Sequence, residues 1–403
     1  MVFTKLPPLV ILVAVTFLSA SARAQLPPDL KSDLGEGVPA FTVRPGYRVS
    51  RATAPKALKE ARFIEFSDDH KTLFVSQGRN GTIAALSEPD KDGVFQKQAV
   101  FVKNKNSVQG MDFHNGWLYF SQASEGSISR ARDTNGDGVA DDVEVLAPKD
   151  SLPKGGGHPF EGLLVTDTQI FATASDPGNM TEELDSPRKT IYVFDKEGKN
   201  RKVFCTGIRN TEKLRQRPGT TEIWGFDHGS DNFGKTFGER TAKEQPITDL
   251  NPPEELNHYA EGAFYGHPYL SGNRVVRPEF ADRKDIIELA TRTTPPEWLV
   301  HAHWAVLGFT FITQDHFPDH KGDLFFAAHG SWNSVHPVGA CIERVLFDNV
   351  TGKPYGSQTI VDGQPNEKRV ARPVDCAEAA DGTILFSTDE PPALFRISKS
   401  QAK

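Results

Sequence analysis

The sequence predicts an all-β protein, a six-bladed β-propeller of four-stranded antiparallel blades. Three observations carry that reading. A strand-turn-strand unit recurs at a period of about 50 residues, the signature of a propeller repeat. The composition is folded and turn-rich, with 34 Gly and 28 Pro among 403 residues. An early strand, FTVRPGYRVSRA at 41–52, can join the last repeat and so remove the open edge of a ring.

The units follow in order. Residues 62–86 read RFIEFSDDHKTLFVSQGRNGTIAAL, and 109–132 read QGMDFHNGWLYFSQASEGSISRAR. The third is EGLLVTDTQIFATASDPG at 161–178, followed by TIYVFD. The segment 207–270 supplies a fourth with long loop insertions. LGFTFITQDHFPDHKGDLFFAA at 307–328, with IERVLFD beyond it, is the fifth, and DCAEAADGTILFSTDEPPALFRI at 375–397 is the sixth. In each, an apolar strand leads through a polar turn to a stronger aromatic-aliphatic strand, then a Gly or Pro turn and a third strand. A pair of packed sheets is the rival architecture; the regular period favours the ring. A ring brings loops from every blade to one opening, where residues remote in sequence meet.

The net charge of −7 argues against nucleic acid as main partner, since phosphate binding needs a basic face. Residues 1–24 read as a signal peptide. MVFTK is weakly positive, LPPLVILVAVTFL is apolar, and Ala22-Arg23-Ala24 offers a cleavage site. An uncleaved anchor is the alternative, but the run is short against the roughly 20 residues of a span. The expected mature chain, 25–403, is one periplasmic or secreted domain without a membrane span. Cys205, Cys341 and Cys376 allow one disulfide and a free thiol in such a compartment.

Five stretches carry candidate chemistry. DTNGDGVADDVE at 133–144 matches a calcium loop, with Asp133, Asn135, Asp137, Asp141 and Glu144 as ligands and Gly138 at the bend. It also reads as a solvated acidic hairpin. GGGHPFEG at 155–162 puts His158 on a bent backbone, and Asp176 ends a strand 18 residues later. At one edge of a blade, a carboxylate beside the imidazole would suit a general base; a plain turn is the other reading. In GIRNTEKLRQRPGTTEIWGFDHGSDNFG (207–234) and ITDLNPPEELNHYAEGAFYGHP (247–268), Arg209 offers a cationic fork. Asp227, Asp231, Glu254 and Glu255 offer acidic oxygens, and Gly229 and Ser230 offer carbonyls that suit calcium. Surface ion pairing would also account for them. AAHGSWNSVHP (327–337) and RVARPVD (369–375) flank strong strands.

The order His158, Asp176, GIRN, DHG, EELN, YGHP, AAHGSWN, RPVD resembles the soluble quinoprotein sugar dehydrogenases, the glucose and sorbosone dehydrogenase group, from about residue 55 to 398. The resemblance implies a six-bladed propeller using pyrroloquinoline quinone (PQQ) and Ca2+. It implies that His158 takes the sugar hydroxyl proton, with Asp176 as its supporting carboxylate. Arg209 would polarise the quinone oxygen, with Asn210 beside it. Gly229 and Ser230 would give carbonyls to the calcium. Glu254, Glu255 and Asn257 match the segment that shapes the calcium sites. Arg372 matches the first arginine of the cofactor clamp, and Gln109 a substrate-side glutamine. The implied partners are a sugar or related alcohol and an external electron acceptor.

The chain departs from that pattern. Val374 stands at the second clamp arginine, and 327–337 holds no Lys or Arg. Lys213, Arg215 and Arg217, in the fourth unit, lie close to Arg209 in sequence but can also face outward. The insertion FGKTFGERTAKEQPITDLNPPEE can reshape the substrate mouth. The gaps keep two further readings in view, a calcium-stabilised binding propeller and a calcium-dependent sugar lactonase.

Overall fold

The computed structural model describes residues 32–158, 162–183, 186–233, 246–334 and 336–400. The signal-peptide reading lies outside these, as do residues 234–245 of the insertion at 233–255. Among them, no helix is long and apolar enough to cross a membrane.

Six antiparallel blades form the ring. Blade 1 spans 64–102, blade 2 spans 108–147, and blade 3 spans 163–206. Blade 4 spans 214–300, blade 5 spans 306–362, and blade 6 combines 372–399 with the early strand Tyr47–Arg51. That early strand pairs antiparallel to the last one, Arg51 opposite Phe395 and Tyr47 opposite Lys399. The stretch 41–52 does not run as one strand. Pro45 lacks an N–H, Gly46 sits at φ 91°, and Tyr47 N–H closes a turn on the Arg44 carbonyl. Thr42–Val43 therefore extends blade 5, and Tyr47–Arg51 completes blade 6.

Alternation of side chains explains the packing. In Leu324–Ala328, Phe325 faces blade 6 and packs with Ile384 and Phe386, whereas Phe326 faces blade 4 and packs with Trp224 and Phe226. Corresponding clusters fill the other seams, such as Phe74, Met111 and Phe120 between blades 1 and 2. Each fully buried Leu, Ile or Phe contributes about 1.5–3 kcal/mol. The cysteines do not form the disulfide that export would allow. All are free and buried, and Cys205, Cys341 and Cys376 belong to three different seams.

Along the axis the innermost strands carry charge. Lys213 Nζ pairs with Asp375 Oδ2 at 2.5 Å, with side chains 3% and 0% exposed. Arg215 pairs with Glu65 at 2.6 Å and Asp112 at 3.3 Å. Burial first, then the Glu65 charge, pushes Asp112 up to about 7. Lys213 and Arg215 thus stitch blades 4, 6, 1 and 2 together inside the ring and are not free to anchor a ligand. Gly308 faces this layer, and a Cβ there would stand 2.0 Å from Asp375 Oδ1.

Candidate active site

In antiparallel blades, the start of the innermost strand and the end of the second lie on the same face of the ring. That rule collects the functional side chains. Arg62, Gln109, His158, Arg209, Glu212 and Arg372 precede or open innermost strands, and Asp176, Asp227, His329 and Asp389 end or follow second strands.

His158 Nδ1 lies 2.8 Å from the main-chain carbonyl of Asp176. A carbonyl only accepts, so Nδ1 carries the proton and Nε2 keeps its lone pair. Burial, followed by the Arg209 charge, lowers His158 to about 4. The ring is neutral at ordinary pH and ready to accept a proton at Nε2. The backbone of the same residue also holds Arg209, because Asp176 N–H donates to the Arg209 carbonyl at 2.7 Å.

The carboxylate of Asp176 does not support His158, contrary to the expectation. Its two oxygens accept from His267 Nε2 (2.7 Å), Thr181 Oγ1 (2.6 Å), Thr181 N–H (2.9 Å) and Gly178 N–H (2.7 Å). The local reason is the turn after Ala174, whose N–H groups need an acceptor at that point. Burial pushes Asp176 up, but these hydrogen bonds outweigh it and hold the group well below the usual carboxylate range. Burial lowers His267 to about 4, so the contact is a hydrogen bond from a neutral imidazole to a carboxylate.

Arg209 is buried and donates Nε and Nη2 to Asn179, at 3.1 and 2.9 Å, with Asp231 3.7 Å away. Asp227 supports it from behind by accepting both backbone N–H groups of Arg209 and Asn210. Asn210 gives its amide to Glu212 (3.1 Å) and to His228 Nδ1 (3.2 Å). Its own Oδ1 is buried without a hydrogen-bond partner.

A polar chain then crosses the mouth. Gln109 donates to Glu212 (2.9 Å), Arg62 reaches Glu212 (3.7 Å) and Asp389 (2.9 Å), and His329 Nε2 meets Asp389 at 2.9 Å. Arg372 Nη2 donates to His329 Nδ1 at 2.8 Å. Burial first, and the neighbouring charges of Arg369 and Arg62 among others, lower Arg372. Arg62 from blade 1 thus stands beside Arg372, where the sequence left a gap. Val374 is buried in the seam facing blade 1. Sequence reasoning missed Arg62, Glu212 and Asp389, and gave no role to His267 in YGHP or His329 in AAHGSWN.

A small cavity of about 20 Å³ lies behind Arg209, bounded in part by Asp227, Gly229, Ser230, Glu255 and Arg277. Burial, then the Asp227 charge, pushes Glu255 up to about 8. Its Oε1 accepts Gly272 N–H at 2.6 Å, and the Oδ1 of nearby Asn257 is buried without a partner. Gly229 is required here, since a Cβ would meet the carbonyl oxygens of Pro252 and Pro253 at 2.8 and 2.9 Å. Glu254 has a different task from the expected one. It caps the Ala305 and Val306 N–H groups, at 2.5 and 2.8 Å, where the innermost strand of blade 5 begins.

The loop at 133–144 does not assemble the expected ligand shell. Asp133 accepts N–H groups of Asn135, Gly136 and Gly138, and Asp141 accepts from Thr134. Asn135 and Asp137 cap Asp137 and Val139 N–H. Glu144 reaches across to Arg130 on the neighbouring strand, 2.7 Å away. Among the described residues, no group of three or more His, Cys, Asp or Glu is arranged to hold a metal ion.

A propeller whose mouth combines a neutral imidazole with a row of arginines has the build of a quinoprotein oxidoreductase. The sequence profile of the TrAA12-like family matches residues 181–400. The chain belongs to that family, the AA12 pyrroloquinoline quinone-dependent oxidoreductases. The holo PQQ domain of pyranose dehydrogenase from Coprinopsis cinerea shares the fold, with TM-score 0.75 and 17% identity over 92% of this chain and 100% of that one. A calcium structure of the AA12 enzyme from Trichoderma reesei gives TM-score 0.75 and 17% identity over 92% of this chain and 99% of that one. An uncharacterised protein of Borreliella burgdorferi is 29% identical over 253 residues, 61% of this chain and 62% of that protein's length.

Proposed function

We propose that the protein is an exported dehydrogenase that oxidises an aldose or a related alcohol by hydride transfer to PQQ, with Ca2+ as a second bound group. The observation that carries this reading is the pairing of a neutral, singly tautomeric His158 with the buried cation Arg209, both held by the backbone of Asp176.

The residues present fit the cofactor. A planar polyanion needs cationic donors, and Arg209, Arg62 and Arg372 line the face from three blades. Asn210 adds a buried oxygen that lacks a partner in the protein alone. For calcium, the Gly229 and Ser230 carbonyls and Glu255 are the oxygen donors, beside the small cavity. The quinone, when bound, supplies the two-electron acceptor. The protein's part is to accept the sugar hydroxyl proton at His158 Nε2, to hold positive charge at Arg209, and to exclude water with the buried ring behind them. The apolar segment at 10–18 and the cleavage-type Ala22-Arg23-Ala24 support export.

The test is a titration of the apo-protein with PQQ and calcium, followed by quinone absorbance, then an aldose panel with a dye acceptor. Stoichiometric binding and dye reduction are expected, both lost or strongly weakened in Arg209→Ala, and turnover lost in His158→Ala. Absence of binding at tens of micromolar PQQ would overturn the reading. Lactone hydrolysis without PQQ would replace it.

A further inference from the structure

Arg188 lies just before the third strand of blade 3, Thr190–Asp195, and is 7% exposed. Its guanidinium donates in three directions, each time to a main-chain carbonyl. Nε meets Ser175, Nη1 meets Gly155 at 2.8 Å, and Nη2 meets His158 at 3.0 Å. Gly155 and His158 bracket the glycine loop, and Ser175 precedes the residue whose carbonyl holds the His158 ring. The two segments that must keep register for the His158–Asp176 hydrogen bond are thus joined through one rigid fork.

The loop has need of such a brace. Gly155 and Gly156 lie at φ 79° and 83°, a region that gives glycine no intrinsic preference for one shape. Gly156 is pressed against Pro177, where a Cβ would come within 2.6 Å of Cα. Gly157 N–H bonds the Pro177 carbonyl. These contacts tie the loop to 177, but Arg188 is what spans both its ends and the strand end at 175. A lysine could not replace it, because one ammonium cannot reach three carbonyls held in a fork.

We infer that Arg188 is a positioning residue for the base: it locks the His158 loop onto the Ser175–Asp176 backbone and so fixes which imidazole nitrogen carries the lone pair. The inference rests on the general-base reading of His158.

The test uses full-length mature protein with Arg188→Met and Arg188→Lys. Proteins labelled with 15N-histidine report the His158 tautomer by NMR, the signal being assigned by its loss in His158→Asn. Wild type should show one tautomer with the proton on Nδ1, and both variants a mixture. In the PQQ-loaded enzyme, kcat should fall about 10–100-fold, the scale of a small misplacement of a reacting group. KM and the PQQ dissociation constant should stay within about twofold, as neither depends on where this lone pair points. Arg188→Lys keeps the charge and guards against a folding failure of the methionine variant; it should restore melting temperature without restoring kcat. A wild-type tautomer and kcat in Arg188→Lys would overturn the inference, as would a fall in PQQ affinity matching the fall in kcat. Retained turnover in His158→Asn would sink the base reading instead, while the tautomer readout would still decide whether Arg188 fixes the ring.

Discussion

His158 hangs on the main chain of Asp176, its Nδ1 2.8 Å from the carbonyl oxygen, while the Asp176 carboxylate turns away to His267. A carbonyl fixes the tautomer as a carboxylate would, but it adds no full negative charge to raise the basicity of the ring. Burial and Arg209 therefore outweigh the Asp176 hydrogen bond and the Glu212 charge and take His158 down to about 4.

The pH dependence follows. With His158 as the proposed base, the neutral ring is the active form, and its range extends downward when its pKa falls. The acid limb of kcat/KM should have its midpoint near 4, well below the ordinary histidine value of about 6.5. Steady-state rates from pH 3.5 to 8 in the PQQ-loaded enzyme check this. A midpoint near 6.5 would mean that the ring is solvated in the working enzyme.

Asp176→Asn should separate support from catalysis. The main-chain carbonyl survives, but the amide faces donors from His267, Thr181 and Gly178 with one acceptor fewer. The unmatched donor costs about 1–3 kcal/mol, read as a lower denaturation midpoint in urea. Asp176 is held below its ordinary value, so its contribution is present above about 3.8 and fades as pH falls further. The variant should therefore differ most from wild type at neutral pH and least in acid.

Glu255 makes the opposite prediction. With its carboxyl pushed from 4.5 up to about 8, the folded protein binds a proton that the unfolded chain has released. Without a cation, this group's contribution is complete below 4.5 and is lost as pH rises to 8. A calcium ion bound as proposed would take the place of that proton. The rise in melting temperature on adding calcium should thus be larger at pH 8.5 than at pH 6, and Glu255→Gln should abolish that difference.

Lys213→Met should be among the most destabilising single changes on the axis. It leaves Asp375 buried without its cation, a loss of about 3–5 kcal/mol. Gly308→Ala attacks the same layer by volume, because the new methyl would collide with Asp375 Oδ1. Equilibrium unfolding of both variants checks this. A wild-type midpoint for either would show that the axis relaxes easily.

The blades were legible because their signals are local. Short runs such as LFFAA and ILFST, buried on both faces, sit between Gly and Asp turns, and each turn brings its own pair of strands together. His158, Asp176 and Arg209 were legible by residue type and order. Which atom of Asp176 serves His158 was not, because the competing partner, His267, comes from an insertion in blade 4, 91 residues away. The Arg62–Asp389–His329 contacts join blades 1, 6 and 5, separations that no spacing rule encodes. Glu65, Asp112 and Arg215 alternate with apolar residues like any solvent-facing position. Only the closed ring shows that their solvent side is the interior of the axis. The turn at Pro45-Gly46 was visible in 41–52, but the two halves of that stretch could be assigned to different blades only once both partner strands were in place.

The seam in blade 6 also sets an order of events. Tyr47–Arg51 is made long before its partner, Pro392–Lys399. Until the second exists, the first has no place to pair, and blade 6 lacks its outer strand. Closure therefore waits for that partner strand, and the long separation between the two makes it a slow step. In the proposed export, a polypeptide arranged this way would stay open while it is threaded through a translocation pore and become a ring only after release on the far side.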